Sequence, residues 1–89
     1  MAEGRRIDQW LWFARIVKSR SLAAKLVTAG QIRINRVKID KPGKDVVPGD
    51  VITAAVHGQI RVLRVLAIGA HRGPALEAET LYQEIAGEL

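Results

Sequence analysis

Eight cationic side chains crowd one stretch of this sequence. Arg5, Arg6, Arg15, Lys18, Arg20, Lys25, Arg33 and Arg36 all fall within RRIDQWLWFARIVKSRSLAAKLVTAGQIRINR. Guanidinium and ammonium groups gathered this way meet anions, and the guanidinium fork matches phosphate oxygens two at a time. Lys18-Ser19-Arg20-Ser21 concentrates the signal, because a serine that caps a helix leaves free backbone amides beside two cations. The chemistry indicated is phosphate contact. A plain capping linker for the serines, or a solvated basic face with no partner, is the plainer reading of the same residues.

The charge distribution favours a partner. The chain has 89 residues and a net charge of +5. Residues 1–44 carry eleven Lys/Arg against three acids, a net of +8, and residues 45–89 carry three against six, a net of −3. Positive charge collected in one half is the electrostatic footprint of a nucleic-acid binder.

These residues must be placed by local structure. Ile7, Trp10, Leu11, Ala14 and Val17 have helical spacing, predicting a first helix over about Ile7 to Val17 with Asp8 at its positive end. Trp12 falls on the side of Asp8 and Arg15, either half-buried or part of a binding face. Leu22, Ala23, Leu26 and Val27 form a second stripe, capped at the start by Ser19 or Ser21 and running to about Ala29. Gly30 stands where a left-handed cap would end it. Gln31 to Asn35 alternates as a half-buried strand, Asn35-Arg36 turns the chain, and Val37 to Ile39 returns. Arg36 suits that turn less well than glycine would. Asp40 to Gly49 reads as a loop. Val51 to Val56 and Arg61 to Ala67 read as a hairpin turning at His57-Gly58. His71 to Pro74 is a loop, and Ala75 to Ala86 carries a helical stripe at Ala78, Leu81, Tyr82 and Ile85 with Glu77, Glu79 and Glu84 outside it. The order gives an α+β fold: two N-terminal helices packed on a small, mainly antiparallel sheet, with a short C-terminal helix.

Other chemistries find little support. There is no cysteine, which excludes disulfides and thiolate metal sites. His57 and His71 have no Cys, Asp or Glu at ligand spacing, so no metal and no cofactor is expected. No nucleophile elbow, P-loop or dinucleotide fingerprint occurs, and Asp40, Asp45 and Asp50 sit in or beside turns, so no catalytic residue and no enzyme activity is expected. No apolar stretch is long enough to cross a bilayer. The basic pair and apolar run at the start look like a signal peptide, but Asp8, Gln9 and Arg15 interrupt the run and no small-residue cleavage site follows. A cytoplasmic protein without membrane partners, working as a monomer, is the expectation.

Arg6-Ile7-Asp8, Ser19-Arg20, Ala23, Leu26-Val27, Gly30, Ile32, Ile34-Asn35 and Pro48-Gly49-Asp50 resemble the S-four (S4) RNA-binding domain. The chain departs from that pattern at Arg36, where the family usually has glycine, which leaves an extra cation near the binding face. The resemblance implies an RNA-binding core over residues 5–50, completed by a strand hairpin and C-terminal helix over 51–89 within one domain. It implies RNA contacts from Arg6, Lys18, Ser19, Arg20, Lys25, Arg33 and Asn35, and an Asp8 that holds an arginine in place. Arg5, Arg15 and Arg36 extend the cationic set, and all of these groups are expected to form one continuous patch. Trp10-Leu11-Trp12, the run Lys18 to Ala23, Arg72 to Ala75 and Leu81-Tyr82 are similar to the ribosome-associated heat shock protein 15 family. Many of its members continue into a Lys/Arg-rich tail. In length the chain is nearer to the short stand-alone members that act in ribosome quality control. That resemblance implies ribosomal RNA of the large subunit as partner, with tRNA as an additional one, and a role in recycling blocked subunits that carry a nascent chain.

Two other readings stay open. One is DNA binding by the two helices as a helix-turn-helix, for which residues 22–29 offer only Lys25 and Thr28 outside the apolar stripe. The other is a protein-interaction module built on the acidic last helix.

Overall fold

A computed structural model describes residues 4–85. Two short helices and a five-stranded sheet enclose the core, and a two-stranded ribbon ties the N-terminus to the loop side. In chain order the elements are β1 (Arg5–Arg6), α1 (Ile7–Phe13), α2 (Arg20–Thr28), β2 (Ile32–Ile34), β3 (Val37–Lys38), β4 (Asp45–Val46), β5 (Val51–Val56), β6 (Gln59–Val65), α3 (Ala75–Ala78) and β7 (Tyr82–Glu84). The sheet order is β3-β2-β5-β6-β7, every pair antiparallel, and β1 pairs β4 separately.

The helix stripes face one side of this sheet. Ile7, Trp10 and Leu11 of α1 and Ala23 and Val27 of α2 are fully buried against Ile32, Ile34, Ile52, Ala54, Leu63 and Val65. Burying such side chains is worth roughly 1.5–3 kcal/mol each, which makes this layer the main source of stability. The Trp10 indole is inside the core but keeps its polar edge satisfied by donating from Nε1 to the Ala67 carbonyl at 2.9 Å.

Helix α1 is shorter than its apolar spacing predicts. It ends at Phe13, not Val17, because Arg15 adopts φ +59 and closes a Schellman cap. Arg15 N donates to the Trp12 carbonyl and Ile16 N to the Leu11 carbonyl, at 3.1 and 3.0 Å. Ala14, Ile16 and Val17 stay buried although the chain has left the helix. Helix α2 repeats the device with glycine: Gly30 has φ +77, and Gly30 N and Gln31 N donate to the carbonyls of Val27 and Leu26. A Cβ at Gly30 would meet only the movable end of the Lys38 side chain, so it is the left-handed conformation that favours glycine here. At the other end Ser19 is the cap, accepting from Leu22 N at 3.1 Å; Ser21 lies inside the helix.

Two further expectations are corrected. The segment Asp40 to Gly49 is not all loop: β4 lies within it, and Val46 is fully buried. The helix expected over Ala75 to Ala86 covers only Ala75–Ala78 and one 3-10 turn at Glu79–Leu81, after which Tyr82–Glu84 form β7. Ala86 lies outside the described residues. The apolar stripe is compatible with either structure. The unpaired edge of β6 decides between them, since Ile85 N bonds to the Val62 carbonyl and Glu84 receives both Nε and Nη2 of Arg61, at 2.9 and 2.7 Å. No described helix is long and apolar enough to cross a membrane.

Candidate nucleic-acid interface

The centre of the candidate interface is a carboxylate. Asp8, in the first turn of α1, is 3 % exposed. A buried carboxylate needs compensation. Arg6, from β1, supplies it with two hydrogen bonds, Nε to Oδ1 at 3.2 Å and Nη2 to Oδ2 at 3.0 Å. Arg20, the first residue of α2, brings its Nε to 3.7 Å from the same Oδ2. The two arginine side chains remain 50 % and 43 % exposed. One buried negative charge thus orients two outward-facing guanidinium groups and leaves a net positive charge at the surface. Asp8 holds arginines in place, as the family resemblance implies.

The neighbouring helix ends differ. The first amides of α1 are taken up by the chain itself, Ile7 N donating to the Lys44 carbonyl at 2.8 Å and Asp8 N to the Pro42 carbonyl at 3.2 Å. The start of α2 is exposed at Lys18, Ser19 and Arg20, so its positive end lies beside the guanidinium pair. Lys25 is exposed in the last turn of α2.

The ten predicted residues divide into groups. Arg6, Lys18, Ser19, Arg20 and Lys25 are carried by β1, α2 and the linker before it. Arg5 and Arg15 are tied to the C-terminal half: Arg5 Nη2 donates to the Gly69 carbonyl and Arg15 Nε to the Gly73 carbonyl, each at 2.7 Å. The Arg5 guanidinium also lies 5.4 Å from the Phe13 ring centre, and its buried Nε has no partner. Arg72 completes this strap from the other side, donating to the Trp12 carbonyl at 3.0 Å with its guanidinium 5.6 Å from the Trp12 ring centre. Trp12 is half-buried, with this cation set against its ring. Charges so placed are counted correctly from sequence, but only the fold reveals that they clamp a loop.

Arg33 takes another direction. Ile32 and Ile34 point to the core, so Arg33 between them projects from the far side of the sheet, away from the helices. The Asn35 side chain is occupied within the protein: Nδ2 donates to Asp50 Oδ1 at 3.0 Å and Oδ1 accepts from Val51 N at 2.9 Å. Asp50 Oδ2 in turn accepts from Val47 N, the turn role read for it from sequence. Asn35 and Arg36 have φ +51 and +72, the two left-handed positions of the hairpin turn. The single continuous patch expected from the sequence does not form. Arg6, Lys18, Arg20 and Lys25 lie beside the helices, Arg33 and Arg36 lie behind the sheet, and Arg5 and Arg15 are taken up by loop carbonyls, because strand alternation and the loop clamp separate groups that are neighbours in sequence.

The chain resembles several known proteins. Residues 5–52 match the S4 domain. The chain is 38% identical over 84 residues to the heat shock protein 15 homolog of Aeromonas salmonicida, covering 94% of this chain and 63% of that one. It is 38% identical over 81 residues to heat shock protein 15 of Escherichia coli (strain K12), covering 91% and 60%. The RQC P-site tRNA stabilizing factor of Listeria innocua is 30% identical over 86 residues, covering 94% of this chain and 92% of that one. The trimeric structure of Vibrio cholerae heat shock protein 15 superposes with a TM-score of 0.88 at 38% identity, covering 94% of this chain and 84% of that one. The chain spans about three-fifths of the length of the heat shock relatives from Aeromonas and Escherichia. By the match over more than half its residues, and by the fold it shares with heat shock protein 15, the chain belongs to the S4 domain family.

Proposed function

We propose that this chain is a non-catalytic RNA-binding protein of the cytoplasm. It docks on large-subunit ribosomal RNA through β1 and the α2 N-terminus, with tRNA as a second ligand. There it serves the recycling or quality control of blocked subunits that carry a nascent chain. The observation that carries the reading is the Asp8-centred pair of arginines, held in place before any ligand arrives. Groups oriented in advance lose less freedom on binding, so more of their attraction to phosphate is realised as affinity. Lys18, Ser19 and Lys25 widen the contact, and the name of the Listeria relative, a P-site tRNA stabilizing factor, points the same way. Residues 5–50 would form the RNA-binding core, with 51–89 completing the same domain.

The DNA-binding reading is less favoured, because Thr28 bonds its hydroxyl to the Ala24 and Lys25 carbonyls of its own helix, which leaves Lys25 as the one side-chain donor of residues 22–29 for base edges. The protein-interaction reading needs a long acidic helix, and α3 is a single turn. The Arg6, Asp8 and Arg20 group is complete within one chain, so a monomer suffices, although the Vibrio cholerae protein is trimeric. Crosslinking in cells followed by sequencing of the attached RNA tests the proposal. Enrichment of large-subunit ribosomal RNA is expected, and recovery of messenger RNA or no RNA contradicts it.

A further inference from the structure

The side of the sheet turned away from the helices has its own chemistry. Strand register sets Arg33 across from Lys38 and Thr53, Thr53 across from Val62, and Arg64 between Val51 and Gln83. With Ala55 and Ile60, these are the outward positions of the five strands, and none is a carboxylate. Glu84 lies on the opposite, core-ward side, bound to Arg61. Asn35, Arg36, Val51, Thr53, Arg64 and Ile85 line a hollow of about 410 Å³ on this face. That is within the roughly 300–1,000 Å³ typical of ligand sites.

Val51 and Ile85 are half-buried and form an apolar floor with the half-buried Thr53 beside them, while Arg36 and Arg64 are exposed at its edge. Asn35 is neutral and its side chain is bound to Asp50 and Val51, so the positive charge of the hollow comes from the two arginines, and the nearby Asp50 carboxylate is engaged by Asn35 and by Val47 N. Arg64 makes no ion pair among the described residues. Arg36 holds a left-handed conformation that disfavours any residue with a Cβ, and that strained turn keeps a guanidinium on the rim. An apolar floor beside two guanidinium groups, with no carboxylate at any outward strand position, suits a flat ring that carries an anion.

We propose that this hollow takes one unpaired nucleotide of the bound RNA, its base over the Val51–Ile85 floor and its phosphate against Arg64 and Arg36. Guanidinium planes also stack on bases, which suits either orientation of the ring. The proposal rests on the RNA-binding reading above and adds a second face to it. Arg64 lies outside the residue set read from sequence, and only strand register and the hollow bring it to notice.

The test compares two RNA hairpins that differ only in a single-stranded extension of about six nucleotides. Affinities are measured by fluorescence anisotropy for the wild type, Arg64→Ala and Arg20→Ala. The extension should tighten wild-type binding about tenfold. Arg64→Ala should lose that gain while binding the plain hairpin like the wild type, and Arg20→Ala should weaken both RNAs. The proposal is overturned if the extension adds nothing, or if Arg64→Ala weakens both RNAs equally. A Glu-rich peptide that needs Arg64, together with an extension that adds nothing, would assign the hollow to a protein instead. Failure of the wild type to bind either hairpin would sink the RNA-binding reading itself.

Discussion

Arg20 stands 3.7 Å from the same Asp8 oxygen that Arg6 already holds at 3.0 Å. Two cations from different elements are thus fixed to one buried anion. This relationship separates two views of the interface. If only net charge matters, Asp8→Asn removes a negative charge and should tighten RNA binding. If orientation matters, the same change releases both guanidinium groups. We expect Asp8→Asn to bind structured RNA roughly tenfold more weakly and to lose about 1–3 kcal/mol of stability, since a buried charge-assisted network is broken. Filter binding and urea unfolding on the same variant measure both effects.

Ser19→Ala should cost about 1 kcal/mol, the usual worth of a side-chain cap. In a domain of this size that lowers the melting temperature by roughly 4–8 °C, readable by circular dichroism. Ser21→Ala is the control and should not lower the melting temperature, because Ser21 caps nothing and alanine is the better helix former.

Much of this arrangement is legible in the residues. Ser19 and Gly30 bracket α2, and the alternation around Arg33 and the His57-Gly58 turn mark the strands and hairpin. What escapes is whatever depends on distant partners. The left-handed Arg15 that stops α1 has no glycine to announce it, and its side chain is held by a carbonyl 58 positions away. The two-residue strands β1 and β4 are too short for periodicity to register. Tyr82-Gln83-Glu84 joins a helical stripe to a strand edge, and only the open side of β6 decides its fate. The cationic set is legible as a list of residues. Its partition into a helix-side group, a loop clamp and a face behind the sheet is a property of packing.

Arg36→Gly should raise stability by up to about 1 kcal/mol, since glycine relieves the left-handed strain and returns part of that gain as unfolded-chain entropy. Urea unfolding checks this. The same variant should bind extended RNA less well, so stability and affinity move in opposite directions.

Acid should loosen the β6–β7 edge. Hydrogen bonds from Arg61 hold the Glu84 carboxyl below its ordinary value of 4.5 and push the Arg61 guanidinium up. A carboxyl depressed in the folded state stabilises above its unfolded pKa, and that contribution fades as pH falls through the depressed value. The pair is partly exposed, so screening keeps the effect to no more than about 1 kcal/mol. Glu84→Gln should therefore be slightly less stable than the wild type at neutral pH, and the two should converge in strong acid. Unfolding midpoints across that range report the convergence.

The most direct measurement is the affinity of the wild type and of Arg20→Ala for a structured hairpin of large-subunit ribosomal RNA over a series of salt concentrations. Wild-type affinity should fall steeply with salt, and Arg20→Ala should bind more weakly at every concentration with a salt slope lower by about one unit. The variant's melting curve should be close to that of the wild type. Equal affinity and equal slope for the two proteins would contradict an interface centred on Asp8, Arg6 and Arg20.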